Sequence, residues 1–257
     1  MNTTLITGAS SGIGAAFARK LAKRGRNVLL VARSEEKLIA LCNELGRVSG
    51  ARAQYCVMDL TEPDAAMRLL EETHKRELVI DMLVNNAGFG SMGDFSRLEL
   101  STELEIIDLN VKSLVDLTYR FLLPMRDRRQ GTIINVASTA GFQAVPFMAT
   151  YAATKAFVLS FSEALAEENR RHGIRVLALC PGVTDTNFFA ASKIDRPPMR
   201  TIQTAEDVVD AALRGLRRGK TTVISGWTNW VTVEAERFVP RSVVTKVAAK
   251  ALRSRFE

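Results

Sequence analysis

The chain opens on a strand, a glycine-rich turn and a helix in immediate succession, and this unit restricts the available folds more than any other stretch. Thr3-Thr-Leu-Ile-Thr7 is β-branched and apolar, and Thr7-Gly-Ala-Ser-Ser-Gly-Ile-Gly14 brings small residues to the place where strand and helix must crowd together. Helical patterning then runs from Gly12 to Arg24. Gly8 permits a tight turn, Gly12 lets backbone approach a ligand, and Gly14 lets helix and strand pack closely. A helix starting directly after such a loop offers unpaired N–H groups and the positive end of its dipole, which suits a phosphate. Gly8, Ser10, Ser11, Gly12, Ile13 and Gly14 are therefore the expected cradle for a phosphate-bearing cofactor.

Strand-like and helix-like segments alternate from there to about residue 225. The strands read as Asn27–Ala32, residues 51–58, Leu78–Asn85, Gly131–Ser138, Ile174–Cys180 and Lys220–Ser225. This alternation implies an α/β fold, and the absence of a linker-like run or a solenoid repeat in 257 residues implies one domain spanning 1–257. A long helix is expected over Ser101–Leu123, with Asn110 at its middle, where an amide competes for backbone hydrogen bonds and can distort the helix.

The chemistry concentrates around Tyr151-Ala-Ala-Thr-Lys155. A Tyr and a Lys four residues apart share one helix face, and an ammonium beside a phenol is expected to lower the phenol's pKa toward the range of proton exchange. Ser138 ends a buried strand, where open α/β sheets meet their ligands, and is the natural second hydrogen-bond donor. Each residue alone has a plainer reading: a core aromatic, a solvated charge, a cap.

Taken together, the glycine loop, Asn85-Asn86-Ala87-Gly88, Asn110, Ser138, Tyr151, Lys155 and Pro181-Gly182 resemble the short-chain dehydrogenase/reductase family in order and spacing, from residue 3 to about 225. The resemblance implies a Rossmann fold, a single doubly wound parallel sheet flanked by helices, here with extra C-terminal helices. It implies an NADP-linked oxidoreductase that interconverts a carbonyl and an alcohol, with Asn110, Ser138, Tyr151 and Lys155 as catalytic residues and no metal. In that family the matching Asn holds a water on a proton path to the Lys. Asp59 and Leu60 would lie beside the adenine, Asn86, Ala87 and Gly88 under the ribose, and Pro181, Gly182, Val183, Thr184 and Thr186 beside the nicotinamide. Thr184 departs from the valine common there.

Cofactor choice is read at the end of the second strand. An acid there would bind a ribose 2′-hydroxyl, but Arg33 stands at that place and can pair with a 2′-phosphate as a planar, always-charged fork. Glu35 and Glu36 follow Ser34, a good N-cap, and suit a helix's first turn. Asp59 could also cap a helix beginning near Glu62. NADP is the expected cofactor.

The segment 139–150 is rich in apolar side chains, and with the stretch after Thr186 it suggests an apolar substrate pocket formed by Phe142, Phe147, Met148, Phe188 and Phe189 beside Ser138. Residues 187–203 lack a clear period and read as a substrate flap. The helix from Tyr151 is apolar on more than one face, so a homodimer or homotetramer is expected through it and the preceding long helix, as the resemblance implies. A ketoacyl thioester reductase leads among the readings. A general ketone or aldehyde reductase, a non-catalytic NADP-binding regulator and a peripheral membrane reductase of lipid-like carbonyls are the alternatives.

Three scattered cysteines and a strand at the N-terminus, where a signal peptide would need a basic region and a longer apolar run, suit a reducing cytoplasm. Of the net charge of +7, the stretch from Arg237 onward supplies +5 through six Lys/Arg and one acid, a local basicity that argues against nucleic acid. The C-terminal extension, about 228–257, has Val243, Val244, Val247, Ala248, Ala251 and Leu252 at helical spacing among these cations. A helix docked on the domain or a partner subunit is preferred because that apolar face is small; a helix on an anionic membrane surface is the competing reading.

Overall fold

The computed structural model describes residues 1–48, 50–186, 188 and 202–253. Of the expected flap over 187–203, only Phe188, Ile202 and Gln203 are among them, and Phe189 lies outside.

Seven strands form one sheet: β1 (Asn2–Thr7), β2 (Asn27–Ala32), β3 (Ala53–Val57), β4 (Val79–Asn85), β5 (Gly131–Val136), β6 (Ile174–Cys180) and β9 (Thr222–Ile224). Their order is β3-β2-β1-β4-β5-β6-β9 and every pairing is parallel. A two-stranded ribbon, β7 (Thr184–Asp185) with β8 (Gln203–Thr204), stands apart from it. Parallel neighbours need crossovers, and helices α1 (Gly12–Ala22), α2 (Glu35–Val48), α3 (Ala65–Lys75), α4 (Leu100–Ile107), α5 (Ser113–Asp127), α6 (Ala149–Asn169) and α7 (Ala205–Arg217) provide them. Two further helices, α8 (Trp227–Glu236) and α9 (Arg241–Arg253), follow the last strand.

Successive strand residues point to opposite faces, so each strand feeds two cores. Leu29, Leu83, Ile133 and Val176 join Leu69, Phe121 and Met125 in one apolar layer. Their chain neighbours Leu30, Val84, Ile134 and Leu177 join Phe17, Leu41 and Val208 in the other. Because both faces are covered, the strands read as continuous apolar runs without alternation. The helix α7 begins at a capping box, with Thr204 accepting from the Asp207 backbone and Asp207 reaching back to Thr204.

The expected long helix over Ser101–Leu123 is broken. Between α4 and α5 the backbone widens into a π segment over Asp108–Lys112 with Asn110 buried in it, the local distortion that the buried amide suggested. A chain of buried side chains runs beneath the sheet's carboxyl edge: Asn85 Nδ2 donates to Thr118 Oγ1 and to Asn135 Oδ1, each at 2.9 Å, and Asn135 Nδ2 donates to Ser162 Oγ at 2.9 Å.

Candidate active site

The strand order reverses between β1 and β4, and their carboxyl ends open a crevice there. The two ends are tied together. Thr7 Oγ1 accepts from the backbone N–H of Asn86 at 2.9 Å and of Ala87 at 3.0 Å, while Asn86 Nδ2 donates to the Thr7 and Gly8 carbonyls. Gly8 and Gly12 both hold positive φ, at 62° and 53°. A Cβ on Gly14 would overlap the Gly8 carbonyl and lie 2.6 Å from Asn86 Nδ2, so this glycine works beneath the loop by letting α1 press on it. Ser11 is the N-cap of α1 yet makes no side-chain capping bond, and the first turn holds no acid, which leaves the positive helix end facing the crevice.

A cavity of about 740 Å³ fills this crevice. Gly8, Ser10, Ser11, Gly12 and Ile13 line one part of it, with Arg33, Asp59 and Leu60. Asn86, Ala87 and Gly88 line it from the β4 end, and Pro181, Gly182, Val183, Thr184 and Thr186 from the β6 end. These expected cofactor residues, contributed by five separate loops, thus meet around one space. The volume, the helix end without a competing acid and the basic group at Arg33 fit a dinucleotide.

Arg33 is 67% exposed and its Nη1 lies 3.5 Å from Asp59 and 3.7 Å from Glu105, loose pairs that leave the guanidinium fork accessible. Partial burial pushes Asp59 up, but hydrogen bonds from Thr61 and the Arg33 charge outweigh it and hold the carboxyl below its usual range. Asp59 does not cap a helix. Its carboxylate accepts from Thr61 N and Oγ1, while α3 begins only at Ala65 with Asp64 before it. Ser34 and Lys37 also line the cavity and escaped the sequence reading. The signal was present: a cation in the first turn of α2 opposes the helix dipole and needs another reason to be there.

Ser138, Tyr151 and Lys155 line the same cavity and are 9%, 9% and 6% exposed. The α6 backbone puts Tyr151 and Lys155 on one face, and the Lys155 ammonium lies 5.7 Å from the Tyr151 ring centroid. Its Nζ donates to the Val136 carbonyl at 2.8 Å. Burial pushes the Tyr151 phenol up to about 12, with the Ser138 hydroxyl pulling the other way, and pushes Lys155 down to about 8. This corrects the expectation of a phenol made acidic by its neighbour: desolvation governs both groups, because both sit under the sheet edge out of water. Cys180, in a small apolar cluster with Ala137 and Val158, is pushed by burial to about 12, as befits a packed thiol and not a nucleophile.

Asn110 does not line the cavity. Its Oδ1 accepts from Phe89 N at 3.1 Å, and its Nδ2 donates to Phe89 O at 2.9 Å and to Thr154 Oγ1 at 3.1 Å. The π segment therefore clamps the loop after β4 to α6. Two glycines of that loop admit the site: a Cβ on Gly88 would come 2.8 Å from Asn110 Oδ1, and one on Gly90 would come 2.8 Å from the Tyr151 ring.

Among the expected substrate residues, Met148 and Phe188 line the cavity, and Phe188 packs on Tyr151 with ring centroids 5.4 Å apart. Phe142 does not; it packs into the cluster around Cys180. Phe147 also stands outside the lining, with a positive φ of 65° and its carbonyl accepting from Gly93 N. Met92, Gln143 and Val145 take their places in the wall. The C-terminal helix contributes too, through Ala248, Ala251 and Leu252.

A doubly wound sheet with a glycine loop and a buried Ser-Tyr-Lys set at its switch point defines an oxidoreductase-type dinucleotide-binding protein. Residues 2–197 match the family described as short chain dehydrogenase, and the chain belongs to that family. It is 33% identical over 224 residues to the ketoacyl reductase HetN of Nostoc sp., covering 86% of this chain and 77% of that protein. It is 42% identical over 186 residues to a monensin polyketide synthase putative ketoacyl reductase of Streptomyces virginiae, covering 71% and 70%. A short-chain dehydrogenase from Sphingobium yanoikuyae solved in complex with NADPH superposes with a TM-score of 0.83 at 33% identity, covering 92% of this chain and 94% of that one.

Proposed function

We propose that the protein is an NADP(H)-dependent carbonyl reductase acting on an apolar ketone or aldehyde, with a ketoacyl thioester as the leading substrate class. The observation that carries this reading is the convergence of Ser138, Tyr151 and Lys155, all nearly buried, on the cavity that the glycine loop also lines. The names of the Nostoc and Streptomyces relatives support the substrate class, and the fork of Arg33 with Lys37 and Ser34 beside it supports a 2′-phosphate.

When bound, the reduced nicotinamide supplies hydride to the carbonyl carbon. Ser138 holds the substrate oxygen by donating a hydrogen bond, and Tyr151 donates its proton to that oxygen. A phenol held near 12 keeps its proton at neutral pH, the state that reduction requires. Lys155, near 8, is the stronger acid of the two, so proton return toward a spent tyrosinate runs downhill from it. Asn110 fixes the Phe89 backbone, and the remaining lone pair on its Oδ1 is where it would serve a proton path behind Lys155. Met148 and Phe188 present apolar surface to the substrate.

The whole chain acts as one domain in the cytoplasm, where its three unpaired thiols are at home. It pairs with a second copy through α4, α5 and α6, which expose Leu100, Leu104, Tyr119, Leu123 and Phe157. A carbonyl panel followed by NADPH and NADH consumption tests the proposal. The Tyr151→Phe variant should turn over about 10²–10⁴-fold more slowly while binding NADPH nearly as well. Wild-type turnover by that variant would refute the assignment.

A further inference from the structure

The two helices after the last strand, and the connection between them, expose several large apolar side chains. Trp227, Trp230 and Val231 fall at i, i+3 and i+4 on α8 and are 77%, 53% and 45% exposed. The connection to α9 adds Phe238 at 89% and Val239 at 39%. Buried Val233 anchors α8 from its other side, so the tryptophans stay outward while the helix itself is seated.

The apolar stripe read from the sequence of α9 divides in the fold. Ala248, Ala251 and Leu252 turn to the cavity, while Val243 and Val247 face out together with Lys246, Lys250 and Arg253. Positions 243, 246, 247, 250 and 253 form one stripe at helical spacing. No acidic residue occurs between Arg237 and Arg255, and Lys246 and Lys250 have no acidic partner among the described residues. Exposed tryptophan and phenylalanine on one helix and the connection after it, followed by Lys246 and Lys250 on the outward face of the next, suit the interface of an anionic bilayer, where indole rings sit at headgroup depth and cations meet phosphate. The charge is the deciding element: a second copy of this chain would bring the same cations against themselves.

We infer that α8, α9 and the segment between them dock the protein on an anionic lipid surface. No described helix is long and apolar enough to cross a membrane, so the attachment is peripheral. Docking does not depend on the reaction, and membrane contact then falls on the helix whose inner face walls the cavity.

The only two tryptophans of the chain lie on α8, so tryptophan emission, excited selectively over the three tyrosines, reports on this surface alone. The full chain is mixed with vesicles of phosphatidylglycerol in phosphatidylcholine, and with phosphatidylcholine alone. Co-sedimentation with the anionic vesicles only, a blue shift of tryptophan emission and release by added salt are expected. Replacing Lys246→Gln and Lys250→Gln together should weaken binding about twenty-five-fold, fivefold per cation removed. Trp227→Ser with Phe238→Ser should abolish the blue shift. Equal binding to both vesicle types, no sedimentation, or an emission shift that depends on protein concentration without vesicles would each overturn the inference, the last assigning the surface to a second copy. Wild-type thermal melts for the variants would establish that they fold.

Discussion

Replacing Lys155 with Met should stabilise the cofactor-free protein near neutral pH while disabling it. Burial takes the Lys155 ammonium from 10.5 to about 8, a gap worth roughly 3 kcal/mol at about 1.4 kcal/mol per unit. The sign follows from proton counts. Between pH 8 and 10.5 the unfolded chain holds the proton that the folded chain has released, so stability rises with pH across that window and the full penalty stands below it. The variant also loses the hydrogen bond to the Val136 carbonyl, about 1 kcal/mol, leaving a net gain of about 2 kcal/mol at pH 7. Urea unfolding of wild type and variant at matched pH values reads the difference directly, and groups common to both, such as the raised phenol of Tyr151, cancel to first order. The gap should close as pH approaches 10. A difference flat with pH, or a variant less stable at pH 7, would refute the claim that the lysine is held against its desolvation cost.

Two further substitutions probe the frame of the site. Gly14→Ala forces a methyl against the Gly8 carbonyl and Asn86, and should cost about 1–3 kcal/mol of stability and at least about tenfold in NADPH affinity by titration calorimetry. Asn135→Ala strips the fully buried link between Asn85 and Ser162 and should lower stability by about 3 kcal/mol with an unchanged urea m-value.

The frame was legible in the residues because it rests on local signals. The strand Ile174–Cys180 and the strand Asn27–Ala32 have the predicted ends, since glycine, proline and charge mark them sharply. Asn110 announced its distortion because an amide in a helix interior is a local conflict. What sequence could not carry is direction and depth. Phe142 and Phe147 are as apolar as Phe188, but only the tertiary path of the loop decides which ring meets the cavity. The pKa ordering of Tyr151 and Lys155 reversed the simple charge argument because desolvation depends on everything packed around the pair. Likewise, the spacing of apolar residues in the tail was visible, but not that half of the stripe would turn inward.

That inward half has a consequence for how such a protein changes over time. The match to the family ends at residue 197, yet the cavity wall reaches Leu252. Substitutions in the last helix can therefore reshape what the chamber admits without touching a strand, the glycine turn or Ser138, Tyr151 and Lys155, so the shape of the chamber is separable from the residues at its base.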